Sequence, residues 1–554
     1  MSALWMLAIA GLLTTFLSPT LESKQEPRVQ ITQGHIQGSM LSSVKGRLYF
    51  AFKGVPYAQP PVGENRFTPP QPPNPWQGTL LATKCGASCP QLDFDNDGAY
   101  TGDEDCLFLN IYTPVLDEDN LKPVMLFIHG GAFNYGSGSA DSYGGGRFMD
   151  YDVVLVTFNY RLSVLGFLNV DEEFAPGNVG LLDQVKALEW VNKNIRFFGG
   201  DPNKVTLFGQ SAGSASVIYH LISPLSKGLF HRAIAQSGSP LCKWAHQENP
   251  LYWATRLAAD MKCPVVPSNE MIECLRRKPA KTLILNTVKY QEFSAWPMPF
   301  VPSNQHVESE NNFLSHNPTY ILLNGEINNV SVITGVTKDE GVALYLSFLQ
   351  SGALKRDNFE DGIAKFLSTT LQVRDKDQLN IAQEAIRKEY LEGTNMEDEV
   401  EFRSTKIEII SDGMNKACGL KTAEILASRN IQTYFYSLEH RLNKSITRSQ
   451  GMLGVAHGDD LIFLFEGPSL DSEPLFPEDD RVSQKMLQIW TRFANHGVPD
   501  KDMEWQTVGN EDKMSCIRIT NTLSPSKILK TKKMKLWNDL INKIQSSFSV
   551  KTEL

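Results

Sequence analysis

Three short stretches of this 554-residue chain carry side chains whose types and order suit covalent chemistry. The first is VTLFGQSAGS, where Ser211 stands between Gly209 and Gly213, after the apolar run Val205–Phe208 and before a run of helix formers. A serine at a tight strand-to-helix turn can present its hydroxyl to a reacting carbon, and flanking glycines let the turn close. That hydroxyl is a poor nucleophile until a base takes its proton, and the base needs an acid to orient it. The second stretch, VITGVTKDEG, places Asp339 and Glu340 directly after an apolar run. The third, GVAHGDD, holds His457 between Gly454 and Gly458, in a loop free enough to aim an imidazole.

Each assignment has a plainer rival. Five letters of G-x-S-x-G also describe a structural turn, and the acidic pair before Gly341 also reads as the cap of a following helix. Of ten histidines, only His440, His457 and His496 leave room for an acid between themselves and Ser211. His440, in LEHRLNKS, reads as a solvated residue leaving a strand, and His496, in FANHGVPD, as a polar residue ending a helix before a glycine. His457 is the candidate base. Chemistry alone leaves Asp339 and Glu340 level as the candidate acid. Upstream, FIHGGAFNYGSG (Phe127 to Gly138) is a glycine-rich turn after a buried strand, suited to aiming backbone N–H groups at a developing oxyanion. Losing one such donor costs on the order of 10²–10³ in turnover.

These parts need a rigid frame. VMLFIHGG (Val124 to Gly131) and VVLVTFNYR (Val153 to Arg161) are apolar, β-branched runs of the kind buried on both faces of a sheet. LLDQVKALEWVNKNIRFFGG has helical spacing, and further strands are expected at KVTLFGQS, RAIAQSG (Arg232 to Gly238), SVITGVTKDEG (Ser331 to Gly341) and QTYFYSLEH (Gln432 to His440). Strands alternating with helices predict an α/β fold with a large, mostly parallel sheet covered on both faces. No linker divides it, so residues 23–550 read as one domain.

Composition is that of a globular protein, 42% hydrophobic and 21% charged, and a net charge of −9 offers no basic footprint for nucleic acid. LWMLAIAGLLTTFL (Leu4 to Leu17) is too short to span a bilayer and reads as the core of a secretory leader ending near residue 22, although no basic residue precedes it. No later run reads as a transmembrane helix. The last four residues, KTEL (551–554), resemble an endoplasmic-reticulum retrieval tail, with Thr552 departing from the usual acidic position. Eight cysteines suit an oxidising compartment and lack the paired spacing of a zinc site, so no metal is expected. Cys89 with Cys106, and Cys263 with Cys274, each enclose a short segment. Sequons at Asn329 and Asn443 permit glycosylation. Asn443 lies in a polar stretch, whereas Asn329 adjoins a strand that threatens to cover it.

Together, EDCLFLNIYTP, HGGAFNYGSG, VTLFGQSAGS and GVTKDEG resemble the type-B carboxylesterases over about residues 28–540. The resemblance implies an α/β-hydrolase fold, Ser211 as nucleophile, His457 as base and Glu340 rather than Asp339 as acid. It implies oxyanion donors at the N–H groups of Gly131, Ala132 and Ala212, the pairs Cys89–Cys106 and Cys263–Cys274, and a third bridge joining Cys418 to Cys516. No cofactor is implied, and the partner is a small-molecule ester. GQSAG, Asp183-Gln184 and G-x-x-H-x-x-D ending at Asp460 are similar to juvenile hormone esterases, while QSGSPLCKW and ECLRRKPAK look like broader arthropod carboxylesterases. Asp183 and Gln184 read as structural partners inside a helix. A generalist or detoxifying esterase is the preferred expectation, with a hormone esterase second and a lipase of the same fold also open. A cholinesterase is disfavoured because the loop from Cys89 to Cys106 holds Phe94 and Tyr100 but no tryptophan to bind a choline cation. A non-catalytic, neuroligin-like adhesion protein is disfavoured because all three catalytic positions are present and no transmembrane tail is seen.

Overall fold

The structure is a computed structural model that describes residues 26–549 apart from 94–97, 292–296, 307–308, 351–353, 356–357, 374, 448–452, 471–473, 501–503, 510–512 and 530–531. The expected leader, the KTEL tail and Phe94 lie outside the described residues. Eleven strands form the main sheet: β1 (Ser39–Ser42), β2 (Leu48–Pro56), β3 (Phe108–Thr113), β4 (Lys122–Ile128), β5 (Val154–Phe158), β6 (Gly200–Gln210), β7 (Arg232–Gln236), β8 (Ser331–Thr337), β9 (Thr433–Leu438), β10 (Lys513–Ile519) and β11 (Leu523–Leu529). Their order across the sheet is β11-β10-β9-β8-β7-β6-β4-β5-β3-β2-β1. Strands β10 through β5 in that order run parallel, and β11, β3, β2 and β1 pair antiparallel at the two margins. The expected α/β-hydrolase architecture is present, with a mixed sheet that is parallel where the candidate site sits.

The apolar runs are continuous because each strand feeds two cores. In β4, Val124, Leu126 and Ile128 enter one hydrophobic cluster while Met125 and Phe127 enter the other. In β6, Val205 and Leu207 face the first and Phe208 the second. Alternation across a strand sends successive side chains to opposite faces, so a strand covered on both must be apolar at every step. The second core is aromatic around Phe127, whose ring centroid lies 4.7 Å from those of Tyr143 and Phe465 and 4.9 Å from that of Phe208.

Helices α1 (Val179–Asn194), α2 (Ala212–Ile222), α3 (Glu399–Ser411), α4 (Ala417–Ser428), α5 (Asp459–Leu464) and α6 (Pro477–His496) bear on the site. The predicted run after Leu181 is α1, closed by a 3₁₀ turn and Gly199 at φ 78°. Its Asp183 accepts from Arg161 Nε at 2.8 Å and Nη2 at 2.7 Å in full burial, and Gln184 Oε1 lies 2.9 Å from His220 Nε2. Both are structural partners, as expected.

Disulfides join Cys89 to Cys106 and Cys263 to Cys274, as the resemblance implied. The third bridge does not: Cys418 pairs with Cys242, their Cα atoms 5.1 Å apart, and Cys516 lies in no disulfide. The reason is the facing of α4. Cys418 points into the core shared with Cys242, whereas Cys516, on β10, belongs to a separate small cluster with Ala423. Among the described residues, no helix is long and apolar enough to cross a membrane. Asn329 is exposed rather than covered, and so is Asn443, although Ser445 of the second sequon is buried with its hydroxyl on Asp459.

Candidate active site

Ser211 sits between the end of β6 and the start of α2 with φ 59° and ψ −120°, a conformation that few non-glycine residues adopt and that costs of order 1–3 kcal/mol. The surroundings hold it there. Its N–H donates to the Gln236 carbonyl at 2.8 Å and its carbonyl accepts from Ala215 at 2.9 Å. The glycines on either side are steric necessities, because a Cβ on Gly213 would stand 2.0 Å from the Ile128 carbonyl oxygen and one on Gly209 would stand 2.6 Å from Gly213. G-x-S-x-G therefore records how closely β6, β4 and α2 approach.

Glu340 follows β8 and is 1% exposed. Its Oε1 accepts from the Ser237 hydroxyl at 2.6 Å and the Thr337 N–H at 2.7 Å, and its Oε2 lies 2.6 Å from His457 Nδ1. Burial pushes this carboxyl up, but the facing imidazole and the two donors outweigh it and hold the group below the usual glutamate range. The reciprocal balance acts on His457: burial pulls the imidazole down, and the Glu340 carboxylate, with Asp460 and Asp459 behind it, raises it above the ordinary histidine range. With Nδ1–H bound to the carboxylate, Nε2 faces the elbow, 3.1 Å from the side-chain nitrogen of Gln210.

Asp339 does something else. Its carboxylate accepts from the Val455 N–H at 2.9 Å and its own N–H donates to the Val455 carbonyl at 2.9 Å, so it pins the loop that carries His457. Asp459 holds the same loop from the other side, accepting from Ala456 N at 2.7 Å, Ile446 N at 2.9 Å and Ser445 Oγ at 2.6 Å. The other two histidines stand apart. His440 is buried, not solvated, with Nε2 2.7 Å from Asp479 Oδ1, while His496 ends α6 before Gly497 at φ 75°, as its sequence context suggests.

The glycine-rich turn after β4 curls back through three residues at positive φ: Gly131 (101°), Ala132 (55°) and Phe133 (61°). A side chain on Gly131 would collide with the Tyr135 carbonyl, 1.9 Å from its Cβ, so this position admits only glycine. Within the turn, Asn134 and Tyr135 donate to the Gly131 carbonyl at 2.9 and 3.0 Å. Among the described residues, no acceptor takes the N–H of Gly131, Ala132 or Ala212. Of these three donors, Ala212 stands at a helix N-terminus, where negative charge is favoured. His129, next to this turn, is pushed down to about 4 by burial and stacks on Tyr160, with ring centroids 4.4 Å apart. It is neutral and structural.

The structure therefore brings Ser211, Glu340, His457, Gly131, Ala132 and Ala212 to one end of the parallel strands. The sequence does not single out Ser237 or Asn415, and marks Gln210 only as a sign of a sub-branch of the resembled family. Ser237 lies in QSG, one residue beyond β7, where strand-end position is its only signal. Asn415 approaches from the helical side, its Nδ2 3.1 Å from Glu340 Oε2. No cluster of metal-ligating side chains occurs among the described residues.

The chain matches the model of the Carboxylesterase family over residues 25–537. It is similar to a carboxylic ester hydrolase of Bombus ignitus, with 38% identity over 96% of both chains, and to venom carboxylesterase-6 of Apis mellifera, with 38% identity over 90% of both. It is also similar to the juvenile hormone esterase of Tribolium castaneum, with 36% identity over 89% of this chain and 88% of that one. With its sheet, its serine elbow and this match over nearly its whole length, the chain belongs to the carboxylesterase family of ester hydrolases.

Proposed function

We propose that this enzyme cleaves carboxylic esters in two acyl-transfer steps on Ser211. His457 Nε2 takes the hydroxyl proton as Ser211 Oγ attacks the ester carbonyl, and Glu340 stabilises the imidazolium through Nδ1. The carbonyl oxygen gains its charge against the N–H groups of Gly131, Ala132 and Ala212. The tetrahedral adduct collapses, the imidazolium gives its proton to the departing alkoxide, and an acyl-Ser211 ester remains. Water, deprotonated by His457, attacks that ester; the acid leaves and the Ser211 hydroxyl is restored. No cofactor or metal enters the scheme.

The observation that supports this reading is the 2.6 Å contact between Glu340 Oε2 and His457 Nδ1, because a proton held on Nδ1 leaves Nε2 unprotonated on the elbow side, where the Gln210 amide lies 3.1 Å away and gives place to the Ser211 hydroxyl during the reaction. Ser211→Ala is expected to lower hydrolysis of p-nitrophenyl esters by on the order of 10⁶ at unchanged folding, by analogy with serine-triad knockouts. Retention of wild-type turnover in that variant would end the assignment.

On substrate, a generalist or detoxifying esterase is favoured, supported by the carboxylesterase relatives. The similarity to a juvenile hormone esterase favours a second reading, cleavage of that hormone's methyl ester. Initial rates across esters of graded acyl length, the hormone included, separate the two, and a sharp preference for the hormone would favour the second. The three disulfides support passage through an oxidising compartment. We therefore propose residues 1–22 as a leader and 23–550 as one hydrolase domain, the protein being secreted or, should 551–554 act as a retrieval tail, kept in the endoplasmic reticulum lumen, with Asn443 and Asn329 as glycan acceptors.

A further inference from the structure

The helical side of the site contains an irregularity. α3 does not run straight into α4; a π turn over Asp412–Lys416 separates them. A π turn inserts a residue into a helix, so everything after it is rotated by about 100° relative to an uninterrupted helix. Asn415 lies inside this turn and is 1% exposed. Its Oδ1 accepts from Trp244 Nε1 at 3.1 Å and its Nδ2 donates to Glu340 Oε2 at 3.1 Å.

The direction of these two bonds is set by their partners. An indole N–H can only donate and an ionised carboxylate can only accept, so the amide has one satisfied orientation, oxygen to Trp244 and nitrogen to Glu340. The fixing group is itself anchored. Trp244 Nε1 also lies 3.2 Å from the Met414 carbonyl, and Trp244 follows Cys242 by two residues. The Cys242–Cys418 bridge ties that segment to α4, three residues beyond Asn415.

Glu340 Oε2 thus receives two donors, His457 Nδ1–H and the Asn415 amide, while Oε1 is filled by Ser237 and Thr337. We propose that Asn415 is a positioning residue for the reaction, its amide holding Glu340 in the orientation that aims His457 at Ser211. This rests on the reading of Ser211, Glu340 and His457 as the catalytic groups. No hydrogen bond joins Asn415 to Ser211, and although its Nδ2 also stands 3.1 Å from His457 Nδ1, that ring nitrogen already gives its proton to Glu340 and cannot accept a second donor. Asn415 acts through the acid, in two ways. It denies the carboxylate any rotation about its last bond, and it takes a share of the charge that would otherwise be spent on the imidazolium.

The second effect gives a signature that a purely structural residue lacks. The charges facing His457 are Glu340, Asp460 and Asp459; on the π turn, Asp412 and Lys416 pair with each other at 3.8 Å. Removing the neutral Asn415 amide leaves that set intact but concentrates the Glu340 charge on the imidazolium. The acid limb of the pH–rate profile then moves to higher pH.

The test uses the full chain with Asn415→Leu, which is close in volume and leaves Trp244 its bond to Met414. Active sites are counted by stoichiometric labelling with a fluorophosphonate, and kcat, KM and the pH profile are measured on p-nitrophenyl acetate. Expected are a full complement of labelled sites, a kcat lower by on the order of 10-fold, an unchanged KM and an acid limb displaced upward. An unaltered kcat and limb would overturn the proposal. So would a loss of rate that merely follows the loss of labelled sites with the limb unmoved. Should Asn415→Leu not fold, Trp244→Phe decides: releasing the amide oxygen is expected to displace the limb in the same direction by less, and an unmoved limb rejects the role. Ser211→Ala, run in parallel, keeps the two readings apart, because its retained activity would refute the catalytic groups themselves rather than the part given to Asn415.

Discussion

The elbow that carries Ser211 and the loop that carries His457 converge on one site, but different forces hold them. The elbow is a product of backbone packing. β6 lies between β4 and β7 in the middle of the parallel sheet, and Gly209 and Gly213 bring α2 so near that only hydrogen fits where a Cβ would be. The histidine loop, among the described residues, pairs in no sheet. It is held by carboxylates, Asp339 on Val455 and Asp459 on Ala456 and Ile446, and by the contact with Glu340. Sheet packing is cooperative with the whole fold, whereas carboxylate bonds are local and titrate. The placement of Ser211 should therefore fail with global stability, and that of His457 should respond to single charges and to pH.

The largest break in that contrast is expected at the elbow. Gly213→Ala forces a methyl against the Ile128 carbonyl oxygen, a backbone atom that cannot step aside, and is expected to lower the urea midpoint by the equivalent of about 3 kcal/mol and abolish turnover together. A stable, active variant would show that the strand and helix have slack. Next is Asp459→Ala in the histidine loop. Removing the acceptor of three buried donors is expected to lower stability by about 2 kcal/mol. The displaced imidazole is expected to lower kcat by on the order of 10², since small misplacements of a reacting group have effects of that size. Equal losses of stability in both variants with equal losses of rate would erase the distinction.

The smallest effect sharpens it. Burial first of all, with the Glu340 charge, pushes the Asp460 carboxyl up to about 6, and its Oδ2 accepts from Gln236 at 2.7 Å. An acid whose pKa is higher in the folded state binds more protons folded than unfolded, so stability falls as pH rises from about 4 to about 6. Asp460→Asn keeps the acceptor and removes the charge. Thermal melts across that window should flatten, and because Asp460 helps raise His457, the acid limb of activity should move to lower pH. The direction is opposite to that expected for Asn415→Leu, so the two variants together show whether the limb reports on His457.

What could be read in advance divides along the same line. Ser211, its glycines and the strands around it are consequences of local sequence, since apolar runs covered on both faces and a G-x-S-x-G turn occupy consecutive residues. Glu340 and His457 could be ordered along the chain but not told from their neighbours by chemistry alone. Asp339 differs from Glu340 only in which partner, 116 or 117 residues away, it meets. His440 reads as solvated in the sequence because its buried partner, Asp479, comes 39 residues later. Asn415 gave no signal, because one extra residue in a helical run changes a facing without changing a composition. The resemblance pairs Cys418 with Cys516, and the orientation of α4 sends it to Cys242 instead.

The chain leaves the carboxylate at Glu340 and comes back to it at Asn415, 75 residues later. Much of what lies between has a core of its own, built on Phe348, Phe366 and Phe402 with Trp537 of the C-terminal helix. Such an excursion is tied to the rest of the chain at its two ends and through Gln372 and Tyr390, which bond to Lys243, His246 and Trp537, while its outermost bend carries no such tie. Its outer turn at Gly393 (φ 90°) opens on empty space. Splicing a peptide there, or opening the chain at that turn to make new termini, should leave the arrangement around Ser211 in place, which makes this bend the natural address for a reporter or an affinity tag.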